Sequence, residues 1–163
     1  MEAEEEDEPV FCWHKDSQPF VLVCMISDVP AGARGGETAV KHADSTVLRL
    51  TFPAAGYAYL LQGSAIDHAA LPARNFQRVT MITSYVPAET SMAEWTDLRL
   101  ASLYSDRREL GDEFLLYRAR RLQERLDRAL SVHGCGDVEG ALREMRKLRE
   151  EVLHVERNLS YLQ

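Results

Sequence analysis

Residues 20–26 read FVLVCMI, and this unbroken apolar run sets the architecture of the first half of the chain. A continuous apolar run of this length, followed at once by Ser27 and Asp28, is typical of a buried β-strand. Strand-like sequence extends on both sides of the run, from Pro9 to Pro87. The run therefore predicts a buried strand within a β-rich first half.

Further strand signals surround this run. Residues 37–40 and 46–52 flank a polar turn and predict a hairpin, and residues 56–61 and 78–86 are two more strand candidates rich in Tyr, Val, Ile and Thr. Gly, Pro, Asp and Asn mark the gaps between them. Several short strands separated by turn signals predict a sandwich, a jelly roll or a barrel.

The hydrophobic period becomes helical after the last of these strands. The segment Ser91-Met92-Ala93-Glu94 matches a capping box, in which the hydroxyl and the carboxylate each accept a hydrogen bond from a free backbone N–H. It predicts a helix that extends to about Tyr104. A second helix is expected over about residues 107–131, and a third, capped by Asp137, is expected to end near Tyr161.

The last two helices are expected to form an antiparallel hairpin, because only Gly134-Cys135-Gly136 separates them. A heptad of apolar residues on the third helix faces a matching stripe on the second. The heptad comprises Val138, Ala141, Met145, Leu148, Val152, Val155, Leu159 and Leu162, and the stripe Leu115, Ala119, Leu122, Leu126 and Ala129. The charged positions Arg143, Glu144, Arg146, Lys147, Arg149, Glu150 and Glu151 are expected to face solvent.

Charge and composition exclude several classes of protein. The chain has 163 residues and a formal net charge of −7, nearly all of it carried by six acidic residues within residues 1–8, a segment expected to be disordered. The near-neutral remainder argues against non-specific binding to nucleic acid or to an anionic membrane. The sequence has neither a transmembrane run nor a secretory signal, and its three cysteines lack paired spacing, so a reducing, cytoplasmic location is expected.

His14, Asp16 and His68 are the candidate metal ligands. Residues two apart in an extended chain project to the same side, so His14 and Asp16 point together and Lys15 points away. If their strands are neighbours, His68 supplies a third ligand, and two histidines with one carboxylate are the ligand set of non-haem Fe(II) oxygenases. A surface turn is the alternative interpretation of the His-x-Asp pattern.

Arg78 and Thr80 are the candidate cofactor-binding residues. Arg78 begins an otherwise apolar strand, and a guanidinium directed into a barrel requires an anion. A carboxylate-bearing co-substrate would satisfy it in a bidentate manner, and Thr80, on the same side of the strand, would add a hydroxyl. The alternative is an edge strand with the arginine in water.

Five motifs occur in order along the strand-rich half: WHKDSQPFV at residues 13–21, GGETA at 35–39, LQG at 61–63, HAAL at 68–71 and RVTMITS at 78–84. This ordered set resembles the Fe(II)/2-oxoglutarate-dependent dioxygenase superfamily, and more closely a fungal 2OG-Fe(II) oxygenase-like group. Members of that group also carry a helical region after the arginine strand. The resemblance covers about residues 12–160.

The resemblance implies an α+β fold, a double-stranded β-helix over residues 9–88 followed by a helical region over residues 91–163 that packs on or extends from the barrel. It implies that His14, Asp16 and His68 bind Fe(II) and that Arg78, helped by Thr80, binds 2-oxoglutarate. The expected reaction oxidises a C–H bond of a small-molecule substrate, with succinate and CO2 as co-products.

The resemblance also implies that the jelly roll is incomplete. The family's first barrel strand has no counterpart before His14, so the chain corresponds to a C-terminal catalytic portion with an open sheet edge. Self-association through that edge or through the helical hairpin is a further expectation. Two other functions stay open, an inactive relative that acts as a binding or interaction module, and a cupin-like metal protein without 2-oxoglutarate.

Overall fold

The computed structural model describes residues 8–163, so the predicted disordered segment lies, except for Glu8, outside the described residues. The architecture is α+β, with two antiparallel sheets followed by two long helices. The chain divides into two compact units, of which the first ends at Val86 and the second begins at Pro87. In the described part of the chain, no helix combines the length and the apolar character needed to cross a membrane.

The first unit contains seven short strands in two sheets. They are β1 (Phe11–His14), β2 (Phe20–Met25), β3 (Thr38–Lys41), β4 (Val47–Leu50), β5 (Ala58–Leu61), β6 (His68–Ala70) and β7 (Thr80–Tyr85). One sheet has the order β1-β6-β3-β4 and the other β5-β2-β7. The predicted buried strand is confirmed as β2, the predicted hairpin as β3–β4, and the two further candidates as β5 and β7.

The hydrophobic core of the first unit is built on alternate residues of β2. Val21, Val23 and Met25 are buried on one face, where Phe52 and the half-buried Tyr59 pack against them. Because successive strand residues point to opposite faces, the intervening residues of β2 lie on the outer face. Each fully buried side chain of this kind contributes about 1.5–3 kcal/mol, so β2 is the main source of stability in its sheet.

Strand β7 lies at the edge of its sheet and pairs only with β2 among the described strands. Ile82 is opposite Val23, on the side of the sheet that carries the core, yet it is 64% exposed. Residues 80–86 contain no charge, proline or glycine, which are the features that usually protect an edge strand from pairing with another chain. Among the described strands, β7 therefore forms an unprotected sheet edge, and the open edge of an incomplete jelly roll stays a prediction.

The second unit is built on α1 (Arg107–Gly134) and α2 (Val138–Ser160). Asp106 caps α1 by accepting hydrogen bonds from the backbone N–H groups of Arg108 and Glu109, and Asp137 caps α2 by accepting from that of Gly140. Such caps contribute about 1 kcal/mol each. The predicted positions of both helices and the cap at Asp137 are confirmed.

The helix predicted over residues 91–104 is wrong, since only a short 3-10 turn at Ala101–Leu103 forms there. The capping box does not close. The Glu94 carboxylate instead accepts from the backbone N–H and the hydroxyl of Thr96, and Glu94 is buried in an ion pair with Arg118. The tertiary contact outweighs the local helix signal because a buried carboxylate requires a charged partner.

The predicted seam between the helices is also partly wrong. The residues buried on α1 are Phe114, Arg118, Arg121, Arg125 and Ala129, whereas Leu115 and Leu126 of the predicted stripe are exposed. Glu151, predicted to face solvent, is buried against these arginines. A count of apolar positions cannot find this packing, because ion pairs rather than apolar contacts fill much of it.

Candidate metal centre

His14 and His68 lie opposite each other on neighbouring antiparallel strands. His14 is the last residue of β1, His68 is the first of β6, and the two form a registered pair. Their ring centroids are 4.3 Å apart. Asp16 lies two residues beyond His14, and its backbone N–H donates to the Gly63 carbonyl at 2.9 Å. This contact ties the segment that carries the Asp16 carboxylate to residue 63, close to the start of β6.

The three side chains present one ligand atom each to a common point. The Asp16 Oδ1 atom lies 3.5 Å from His14 Nε2, and its Oδ2 atom lies 3.4 Å from His68 Nε2. All three ligand atoms lie within 4.8 Å of one another. Ligand atoms on metal bonds of about 2.1 Å are roughly 3.0–3.4 Å apart. The two histidine–carboxylate distances are close to this range, whereas the bound of 4.8 Å on the full set is wider.

Backbone carbonyls orient both imidazoles. His14 Nδ1 lies 2.8 Å from the Cys12 carbonyl oxygen, and His68 Nδ1 lies 3.0 Å from that of Ile66. Since a carbonyl only accepts, both Nδ1 atoms carry the proton, and in the neutral rings both Nε2 atoms present lone pairs to Asp16. Histidine metal ligands characteristically donate their other ring N–H to such an oxygen.

The electrostatics of the cluster call for a cation among these atoms. The Asp16 Oδ2 atom is buried and makes no hydrogen bond. Burial alone would lower the pKa of His68, but its contacts with Asp16 and with the Ile66 carbonyl outweigh burial and raise the pKa. A proton or a metal ion satisfies the group, and a metal ion satisfies all three side chains at once.

Gly63 lies against the Asp16 carboxylate, at a position to which the sequence signals gave no role. A Cβ atom built at Gly63 would overlap the Asp16 carboxylate, although the backbone conformation there suits alanine. We expect Gly63→Ala to displace the carboxylate and to weaken metal binding by at least about tenfold, the scale of an outer-contact substitution. Anaerobic Fe(II) titration checks this, with Gly134→Ala, where an added Cβ meets nothing within 4 Å, as the control. Equal affinity for the two variants would contradict the role of Gly63.

Arg78 precedes β7 and its guanidinium reaches the other sheet. Nη2 donates to the Thr38 hydroxyl at 3.2 Å, Nη1 approaches the Glu37 carbonyl at 3.5 Å, and Nε is buried without a hydrogen-bond partner. The guanidinium carbon also lies 5.5 Å from the centre of the Phe52 ring. Burial lowers the pKa of Arg78, an effect that Glu37 and Tyr59 partly oppose. The Arg78 side chain is half-buried, so water solvates its charge only in part.

Register places Thr38, to which Arg78 donates, on the same face of the four-stranded sheet as the histidines. Thr38, Val40 and His68 share one face of the four-stranded sheet, because Val40 is opposite His68 and Thr38 is two residues along β3. Thr38 is thus about 7 Å along the strand from the residue that faces His68. Arg78 therefore binds a residue, Thr38, that lies on the face of the sheet that carries the candidate metal centre.

Two hydroxyl residues accompany Arg78. Thr80 is opposite Met25 and therefore lies on the inner face of its sheet. Tyr59 also lies on that face, and its hydroxyl is buried without a hydrogen-bond partner. Burial raises the pKa of Tyr59, and Arg78 opposes this only in part. The sequence offered no signal to separate Tyr59 from an ordinary core tyrosine.

Comparisons with known proteins add no constraint on this site. No protein-family model, curated protein or solved structure matches the chain.

Proposed function

We propose that this protein is an Fe(II)- and 2-oxoglutarate-dependent oxygenase that oxidises a C–H bond of a small-molecule substrate. The carrying observation is the convergence of His14, Asp16 and His68, with both Nδ1 atoms engaged by backbone carbonyls and both Nε2 atoms directed at the carboxylate. Two histidines and one carboxylate leave coordination positions open for exogenous ligands, which is the arrangement that non-haem iron oxygenases use. Bound iron and 2-oxoglutarate would supply the oxidising chemistry.

The chain's own residues would bind and orient the co-substrate. Arg78 has a buried Nε without a partner, and the neighbouring Tyr59 hydroxyl is likewise unpartnered. A carboxylate accepting from both would satisfy two buried donors that the protein leaves unmatched. Thr80, on the inner face, adds a third polar group close to the start of β7. The distal carboxylate of 2-oxoglutarate fits this set.

Over residues 8–163, the strand orders support a jelly roll in which seven of the eight positions are filled. An eight-stranded jelly roll pairs strand 1 with 8, 2 with 7, 3 with 6 and 4 with 5, so its sheets have the orders 1-8-3-6 and 2-7-4-5. If β1–β7 are numbered as strands 2–8, the observed orders become 2-7-4-5 and 6-3-8. The vacant position adjoins β7, which is the strand with the open edge and the exposed Ile82.

The decisive experiment is an anaerobic titration of Fe(II) and 2-oxoglutarate into the full chain, monitored by the visible metal-to-ligand charge-transfer band. We expect Arg78→Ala to weaken 2-oxoglutarate binding by about 10- to 150-fold, because a charge-assisted hydrogen bond contributes about 1.5–3 kcal/mol. Fe(II) affinity is expected to stay unchanged.

Arg34→Ala is the matched control, since Arg34 is an exposed arginine of the same unit. Succinate formation that Arg78→Ala leaves intact would contradict the assignment of the co-substrate site. Failure of the unsubstituted chain to bind Fe(II) would contradict the oxygenase itself.

The open edge of β7 favours one other function, a binding module without catalysis. An uncharged edge strand with exposed Met81 and Ile82 is suited to pairing with a strand from another chain. The titration separates the two functions, because a binding module forms no charge-transfer band with Fe(II) and 2-oxoglutarate.

A further inference from the structure

The helices α1 and α2 each carry a row of apolar residues that the second unit leaves exposed. These residues recur at steps of three, four, seven or eleven, which places them on one side of each helix. Each of them is between 39% and 62% exposed. Together they form the hairpin face, which comprises Leu115, Leu126 and Leu130 of α1 and Val138, Leu142, Met145 and Val152 of α2.

A different side of α1 makes the contacts that hold the second unit together. A buried network of three arginines and two glutamates occupies that side. Its members are Arg118, Arg121, Arg125, Glu94 and Glu151. Leu126 follows Arg125 by one residue and therefore lies about 100° around the helix from it. The network thus stabilises the hairpin without covering the hairpin face.

The two helices enclose an apolar groove of about 230 Å³ within the hairpin face. Leu126 and Leu130 line it from α1, and Val138 and Met145 line it from α2. Seven of its eight lining residues are apolar, and the eighth is His133. A groove between two helices accepts the apolar side chains of a third helix, as in helical bundles. The occupant must therefore present a matching row of apolar side chains.

We propose that the hairpin face binds a second copy of this chain, so that two hairpins form an antiparallel four-helix bundle. A two-fold dimer contact joins the same patch on both copies, so the patch must be complementary to itself. Leu126 and Met145 line the same groove, so they lie at about the same height along the hairpin. A two-fold axis that crosses both helices at this height brings each of these residues against its own copy.

This axis pairs apolar residues with apolar residues along both helices. On α1 it places Leu122 against Leu130 of the partner subunit, each four residues from the axis. On α2 it places Val138 against Val152 of the partner subunit, each seven residues from the axis. One axis satisfies both helices, because the apolar spacing is symmetric about the same height on each. This self-complementarity favours a second copy over an unrelated partner.

The exposed area of the hairpin face is sufficient for a specific dimer. Its seven residues, at about half exposure, correspond to about 550 Å² of surface, near the upper end for the largest apolar patch of a monomer. Two copies would together bury about 1,100 Å² from these residues alone, which exceeds the roughly 1,000 Å² expected of a specific interface. Because this area is at the low end of the scale, we expect micromolar affinity.

Sedimentation equilibrium of the full chain over a series of concentrations tests the dimer, and we expect twice the mass of one chain at the upper end. Leu126→Glu and Met145→Glu each place a carboxylate against its own copy at the axis, so each should weaken dimerisation by at least about a hundredfold. Arg149 continues the row between Met145 and Val152. Arg149→Leu extends the apolar contact and should tighten dimerisation by at least about threefold.

Two matched controls lie outside the hairpin face. Leu103→Glu introduces the same charge at a leucine of the second unit that is 66% exposed, and Ile82→Lys blocks the edge of β7. Neither should change the dissociation constant by more than about twofold. A chain that stays monomeric throughout the series would overturn the proposal, as would a dimer that Ile82→Lys dissociates and Leu126→Glu does not. Circular dichroism checks that each variant keeps its helices.

Cysteine cross-linking tests the antiparallel arrangement. In a background of Cys12→Ser and Cys135→Ser, Met145→Cys should form a disulfide-linked dimer on oxidation, because position 145 meets its own copy. Arg143→Cys is the control, since position 143 is exposed on the opposite side of α2, and it should cross-link at least about tenfold more slowly. Equal rates for the two variants would refute the antiparallel bundle. The interface uses only residues of the second unit, so these tests do not depend on the proposed iron centre.

Discussion

Replacing His14 with alanine is expected to lower the affinity of the protein for Fe(II) by at least about a hundredfold, beyond the scale of losing an outer contact. The substitution removes one of three ligand atoms that lie within 4.8 Å of one another. It leaves Asp16 and His68 as a two-ligand site that holds a divalent ion poorly. Anaerobic Fe(II) titration, followed by metal analysis after desalting, measures the loss.

The matched control for this prediction is His42→Ala. His42 is an exposed histidine after β3, outside the cluster, so Fe(II) affinity should stay at the unsubstituted value. Asp16→Asn is a second test variant, because the amide keeps the shape of the carboxylate but lacks its charge. It should lower the affinity for Fe(II) to a similar extent. Equal iron uptake by the His14→Ala and His42→Ala variants would refute the metal centre.

Arg118→Met is expected to destabilise the second unit by about 3–5 kcal/mol, the cost of breaking a buried ion pair from one side. The Arg118 side chain is 0% exposed and so is its partner Glu94. Without Arg118, the Glu94 carboxylate stays buried, with hydrogen bonds from Thr96 but without the guanidinium that neutralises its charge. Urea unfolding of the full chain, followed by helical circular dichroism, measures the change in the free energy of unfolding.

The double variant Arg118→Met/Glu94→Gln distinguishes an unmatched charge from lost packing. If the unmatched carboxylate causes the loss, the double variant should regain at least half of the stability, because a neutral amide replaces the buried charge. Arg120→Ala, at an exposed position on the same helix, should change stability by no more than about 0.5 kcal/mol. A loss below about 1 kcal/mol for Arg118→Met would contradict the structural importance of the network.

The strands that could be predicted are those with a local signal strong enough to stand alone. The apolar run of β2 and the polar turn between β3 and β4 both carry such signals. Strands β1 and β6 have four and three residues, too few for a period to be recognised. They form because they pair with each other and because β6 also pairs with β3. Their pairing is what brings His14 and His68 together.

The candidate metal ligands were found from residue type and spacing. The spacing of two residues predicted that His14 and Asp16 point the same way, and their ligand atoms do lie close together, with the Asp16 backbone N–H held by the Gly63 carbonyl. Gly63 stood in a motif without an assigned role, and Tyr59 could equally line a pocket or pack in the core, because a missing Cβ and an unpartnered hydroxyl acquire meaning only from their neighbours.

Local sequence was sufficient to predict the elements that are stabilised by contacts between residues close in the chain. These are the apolar strand β2, the β3–β4 hairpin and the helix α2 with its cap at Asp137. Contacts between distant residues settled the rest. The meeting of Asp16 with His68 depends on strand pairing, and the burial of Arg118 and Glu151 depends on the loop that carries Glu94. Burying a charge is favourable only when its partner is already in place, and a one-dimensional pattern does not contain the position of that partner.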